Sequence, residues 1–194
     1  LAYGLTWLCW IPVALSGQEG TASPWIIPYM LGGFGPMAAG FIMAFRLKGR
    51  EGLRDLWMRM IDFRHISWGW YAFIFLIFPI LFAAGVLLAV FLNAPLPGFQ
   101  ALRAVIANPL SLVGLLIIGI IAGALSEEPG WRGFALDQLQ VRWSPLMSSL
   151  LLGFLWGGWH MPLFFMRGTT QYAWGFATPR FWLFLVGAFS LSLL

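Results

Sequence analysis

The stretch "ALSEEPGWRGFAL" (Ala124 to Leu136) follows an apolar run, Leu110 to Ser126, that holds no charged residue. It then places Glu127, Glu128, Pro129 and Arg132 close together. If the run ends at Ser126, these are the polar residues of a loop. If it continues, two acids and a base lie inside a membrane. The choice decides the fold, and the rest of the chain makes it.

Of 194 residues, 60% are hydrophobic and 9% charged, with a mean hydropathy of +0.83. A water-soluble domain carries about 25% charged residues. The chain is therefore read as an integral membrane protein, a single membrane-embedded domain over 1–194. The net charge of +4 rests on 11 basic residues, all but one of them arginine. Most sit between apolar runs, which points to topology and anionic headgroups rather than nucleic acid. The single cysteine, Cys9, excludes an internal disulfide and any cysteine-based metal cluster.

A bilayer core of about 30 Å needs roughly 20 apolar residues in a helix. About six runs approach this: Leu1–Ser16, about Trp25–Phe45, about Trp68–Leu92, one from Leu110 into the motif, about Pro145–Met166, and one from Arg180 to Leu194. No alternation typical of a barrel is visible, so the expected fold is an all-α multipass transmembrane bundle. The first residue is Leu1 and the last run reaches the final residue, so the sequence reads as a piece of a longer chain.

Arg46, Lys48, Arg50, Arg54, Arg59 and Arg64 crowd one loop, 46–67, and Arg132 and Arg142 fall on the same side. The opposite side has Arg103, Arg167 and Arg180. The positive-inside rule puts the 46–67 loop and the Val141–Ser144 turn in the cytoplasm. Within that loop Leu53, Leu56, Trp57, Met60 and Ile61 recur at helical spacing between charges, which predicts an amphipathic helix in the membrane interface. Its reading is a topological anchor, with a lipid or substrate gate as the sharper alternative. His65 is expected to be an interfacial histidine without chemistry.

The turn "VRWS" (Val141 to Ser144) makes the segments on either side antiparallel neighbours. Glu127 lies 14 residues before it and His160 16 residues after it. At 1.5 Å per residue, both side chains stand about 20 Å from the turn. The apolar run therefore continues through the motif, bent near Pro129, and the acids share a depth with His160. Gly130, Gly133, Gly153, Gly157 and Gly158 offer close helix approach, and Trp131, Trp156 and Trp159 wall the same region.

Ionisable groups at such depth are functional candidates. Glu128 and Arg132 stand four residues apart and can pair along one helix face. Glu127, rotated about 100° from Glu128, can face His160. A carboxylate beside a histidine can take a proton from water and return it to a leaving amine. The structural alternative is a Glu–Arg pair that only locks two helices, with His160 bonded to backbone. A metal site is a third option, with Glu127, Glu128 and His160 as ligands, although no HExxH is present. Serine and aspartate chemistries fit poorly: Ser126 sits in "ALSEE", and Asp62 and Asp137 stand in polar contexts near the interface.

"EEPGWRGF" (Glu127 to Phe134) resembles the EExxxR motif of the CPBP intramembrane proteases, the family of type II CAAX prenyl endopeptidases and bacterial Abi proteins. "WGGWHMPLFF" (Trp156 to Phe165) resembles its second motif, FxxxH, with Trp156 in the place of the usual Phe. The resemblance implies that 110–194 is part of a catalytic core. It implies Glu127 as general base, His160 as its partner, and Glu128, Arg132 and Trp156 as supporting residues. It leaves two mechanisms, a metal-free glutamate one, which the ligand count favours, and one that uses a divalent metal such as zinc. It also implies a downstream histidine and asparagine four residues apart that stabilise the oxyanion. No such pair follows His160 as far as Leu194, so it is expected beyond that residue.

The expected function is thus an intramembrane endopeptidase that uses water activated by Glu127 and His160. Its substrate would be a peptide or protein such as a membrane-anchored or prenylated C-terminus or a bacteriocin-type peptide. Its partners would be membrane lipids, with no nucleic acid. The expected location is a bacterial plasma membrane, with the site opening toward the cytoplasm. Two alternatives are a non-proteolytic scaffold or bacteriocin-immunity protein of the same family, and a small proton-coupled transporter.

Overall fold

The structure, a computed structural model, describes residues 1–62, 64, 66–94, 96 and 99–193. His65 and Leu194 lie outside the described residues. Among those described no β-strand forms, and one isolated bridge joins Glu19 to Arg167. The helices are α1 (Ala2–Ser16), α2 (Ile26–Gly33), α3 (Gly35–Ile61), α4 (Trp68–Phe91), α5 (Gln100–Ala107), α6 (Leu110–Gln140), α7 (Pro145–Trp159), α8 (Thr170–Trp174) and α9 (Pro179–Leu193). The all-α expectation holds.

α4 and α6 are each long and apolar enough to span a bilayer, and α2 with α3, bent by 41°, meets the same test as one broken span. The other three expected runs form α1, α7 and α9, each of 15 residues. Such helices are about 22 Å long, shorter than a hydrocarbon core. The run expected at Pro145–Met166 is not one helix. α7 stops at Trp159, and Met161–Phe165 follows as a 3₁₀ turn.

Two compact units divide the chain, Leu1–Met60 with Ile118–Leu194, and Ile61–Ile117. In the second, α4 starts after the extended Ser67 and buries no part of its most apolar stretch. Phe82 meets Phe99 edge-on at 6.0 Å.

The first unit holds the core, built on Trp10, Val13, Trp131, Leu152, Trp159, Leu163 and Met166. Side-chain hydrogen bonds to backbone stitch α1 to α7: Tyr3 Oη donates to the Leu155 carbonyl at 2.6 Å, and Trp7 Nε1 to the Trp159 carbonyl at 3.0 Å. Thr6 is fully buried (0% exposed) and relays between helices. It accepts from Trp159 Nε1 at 2.8 Å and donates to the Gly32 carbonyl at 2.8 Å. Polar groups in such an interior must find protein partners, so they act as helix glue.

Gly49, with φ 60° and ψ −142°, breaks α3 where a side chain would be strained. The amphipathic helix expected in the 46–67 loop does form after it. One side of it packs on α6. Leu56 is 2% exposed and lies against Gly133, while Arg59 pairs with Asp55 at 3.1 Å and with Asp137 at 2.5 Å. Trp57 and Ile61 on the other side stay exposed.

Candidate active site

α6 carries the acidic motif and runs on unbroken past Ser126, as the depth argument requires. The irregularity expected at Pro129 takes the form of two wide π turns, Ile120–Ala124 and Trp131–Ala135, flanking the short α segment Leu125–Gly130. Such bulges change the direction of side chains and are common at functional sites. Ser126 is buried, and its hydroxyl lies 2.9 Å from both the Ala122 and Gly123 carbonyls, so it serves the backbone of its own helix.

All five glycines expected to permit close approach do so. A Cβ on Gly130 would run into the Pro36 carbonyl of α3, and one on Gly40 would come within 2.9 Å of Gly130 itself. Gly133 faces Leu56, Gly153 faces Phe189, Gly157 faces Leu185, and Gly158 faces the Tyr3 hydroxyl. Backbone-to-backbone packing at Gly40 and Gly130 holds α3 against the acidic motif.

Glu127 and His160 line one cavity of about 150 Å³. They are joined through Trp156 rather than by a direct bond. Trp156 Nε1 donates to Glu127 Oε2 at 2.5 Å, and His160 Nδ1 lies 2.8 Å from the Trp156 carbonyl. A carbonyl only accepts, so Nδ1 carries the proton of that bond, and in the neutral ring Nε2 keeps its lone pair. His160 ends α7, where the helix changes to the 3₁₀ turn. Trp159 and Phe184 meet its ring edge-on at 4.6 and 5.2 Å. The ring is thus fixed in orientation by one hydrogen bond and an aromatic cage.

Glu128 behaves differently. It pairs with Arg132 one turn on, and Arg132 also donates to the Leu191 carbonyl of α9 at 2.6 Å. The acids therefore divide as their 100° rotation suggests, Glu127 to the cavity and Glu128 to a tie between α6 and α9. Among the described residues no three histidine, cysteine or acidic side chains come together as a metal-binding group. With Glu128 turned to Arg132, the set Glu127, Glu128 and His160 does not converge on one point.

Trp156 was legible in the sequence as a wall of the site, but its part as the bridge was not. The available signal was its spacing, four residues before His160 and so on the same face of α7. Tyr29 and Gln171 also line the cavity, and the sequence reading passed over both. Tyr29 is an isolated polar residue in the apolar "IIPYML", whereas Gln171 lies among polar neighbours in "TTQYAW".

The family described as "Type II CAAX prenyl endopeptidase Rce1-like" matches residues 108–194. The chain is also similar to "CAAX prenyl protease 2" of Methanococcus maripaludis, 29% identical over 169 residues. That match covers 87% of this chain and 62% of the relative's length. The chain thus spans about three fifths of the curated relative it matches. The family match takes in Glu127, Glu128, Arg132, Trp156 and His160, and with the long apolar helices it makes the chain an integral membrane protein. Residues 108–194, which carry both motifs, are thus similar to the Rce1-like type II CAAX prenyl endopeptidases.

Proposed function

We propose that the protein hydrolyses a peptide bond near the C-terminus of a prenylated CAAX-type substrate, with water as nucleophile and Glu127 as general base. The observation that carries this reading is the shared cavity, in which Glu127 and His160 are each held by Trp156. Its volume of about 150 Å³ leaves space for a few waters, at roughly 30 Å³ each.

Glu127 Oε2 is taken by the indole, which leaves Oε1 to accept from water. His160 Nε2 is a second acceptor, so the two residues can hold both hydrogens of one water and aim a lone pair at a carbonyl carbon. As the C–O bond forms, Glu127 takes a proton. The C–N bond then breaks, and Glu127 returns that proton to the departing amine. Glu128 and Arg132 keep α6 and α9 in register around this arrangement. No step is routed through zinc, because the three candidate ligands do not converge.

The basic residues of the 46–67 loop support a site that opens toward the cytoplasm, the side from which a prenylated terminus would approach. The test is cleavage of a farnesylated peptide ending in a CAAX sequence by the full-length protein in liposomes. Glu127→Gln and His160→Gln should each slow cleavage by about 10²- to 10⁴-fold with the melting temperature held. Cleavage by Glu127→Gln at the wild-type rate would sink this reading.

A further inference from the structure

Attack on a carbonyl puts negative charge on its oxygen, and the site must supply donors for it. The cavity wall allows that requirement to be checked group by group. Trp10 Nε1 donates to the Tyr29 carbonyl at 2.8 Å, and Trp159 Nε1 donates to Thr6 at 2.8 Å. The Ser126 hydroxyl is taken by its own helix, and His160 Nδ1 by Trp156. Glu127 is an acceptor. Among the residues that line the cavity, Tyr29 and Gln171 remain as carriers of a side-chain donor that has no protein partner among the described residues.

We propose that Tyr29 and Gln171 are the oxyanion donors contributed by this part of the chain, gripping the scissile carbonyl oxygen of a peptide substrate from α2 and α8. The proposal rests on the hydrolytic reading above and deepens it.

Both side chains sit on anchored elements. The Tyr29 ring stacks on Trp10 at 6.3 Å with an interplanar angle of 22°, and its carbonyl takes the Trp10 indole. α8 is capped by Thr169, which accepts from the Tyr172 amide at 3.1 Å, and its hydroxyl lies 2.7 Å from the Leu163 carbonyl. Donors carried on anchored elements need less reorganisation when charge develops. Tyr29 and Glu127 line the same cavity. During attack the carboxylate's charge leaves Glu127 as it takes the water proton and appears on the carbonyl oxygen. The cavity's total charge is unchanged, and neutral donors near both positions stabilise the shift. Neither Tyr29 nor Gln171 gives up its proton. Each strengthens a hydrogen bond that the ground-state carbonyl makes weakly.

The experiment uses the full-length protein in liposomes with the farnesylated CAAX peptide, and compares Tyr29→Phe, Gln171→Leu and Glu127→Gln. Tyr29→Phe and Gln171→Leu should each lower kcat by about 10²-fold and leave KM within about 3-fold, the pattern of an interaction made in the transition state. A phosphonate analogue of the same peptide should lose affinity for both variants, while affinity for the product peptide holds. Should one variant not fold, the other carries the test alone. If the folded variants keep kcat within about 3-fold of wild type while Glu127→Gln is inactive, the donor assignment is overturned and the hydrolytic reading stands. If Glu127→Gln cleaves at the wild-type rate, it is the hydrolytic reading that falls.

Discussion

The indole of Trp156 donates to the Glu127 carboxylate at 2.5 Å, from a helix that meets the acidic motif only through the fold. Because the Trp156 carbonyl also takes His160 Nδ1, one residue sets the orientation of both candidate catalytic groups.

Trp156→Phe tests that double role. The ring and the backbone carbonyl stay, so His160 keeps its partner, while Glu127 loses its donor. A hydrogen bond to a charged group contributes about 1.5–3 kcal/mol. Thermal unfolding of the purified protein should show a loss of this order, with kcat reduced and KM little changed. A variant as stable and active as wild type would show that the indole is only a wall.

Gly130→Ala and Gly133→Ala should differ. A methyl on Gly130 meets the Pro36 carbonyl, which is backbone and cannot move aside, whereas one on Gly133 meets the end of the Leu56 side chain, which can. Overpacking costs about 1–3 kcal/mol, and Gly130→Ala should lie at or above the top of that range. Melting curves of the two variants in the same detergent decide it, and equal losses would contradict the close crossing of α3 and α6.

Thr6→Val keeps the shape of the side chain and removes its hydroxyl. It leaves Trp159 Nε1 and the Gly32 carbonyl without their partner in a buried position. Unsatisfied buried groups cost about 1–3 kcal/mol each. Trp159 also packs on His160 at 4.6 Å, so near-ultraviolet circular dichroism should register a change in the aromatic cage along with the loss of stability.

Arg132→Ala breaks the tie from Glu128 to the Leu191 carbonyl of α9. The ion pair is partly exposed, so its own contribution is about 0.2–1 kcal/mol. Hydrogen exchange should reveal more than melting does: amides in the last turns of α9 should exchange faster while those of α7 stay protected. Unchanged exchange in α9 would remove Arg132 from the tie between the helices.

The membrane class, the continuation of the Leu110 run through the motif, the turn at Val141–Ser144 and the pairing of Glu128 with Arg132 were legible along the chain. Each depends on a local quantity: hydropathy over a window, helical rise, or i,i+4 spacing. The shared depth of Glu127 and His160 followed from the same counting. The break of α7 at His160 was not legible, because the apolar run continues across it to Met166. The docking of Leu56 on Gly133 was not legible either, because an amphipathic face does not say whether protein or lipid will cover it.

The sequence by itself determined that two acids, an arginine and a histidine would fall along two neighbouring apolar helices, since residue order and helical rise set position along a helix whatever the packing. The tertiary structure alone decided the partners. Trp156 reaches Glu127, and Tyr29 and Gln171 reach the same cavity, because glycine contacts at Gly40, Gly130 and Gly158 and the Thr6 relay set how closely the helices approach and how they are rotated. Rotation about a helix axis leaves hydropathy almost unchanged and moves a side chain from one neighbour to another, so hydropathy alone does not reveal it.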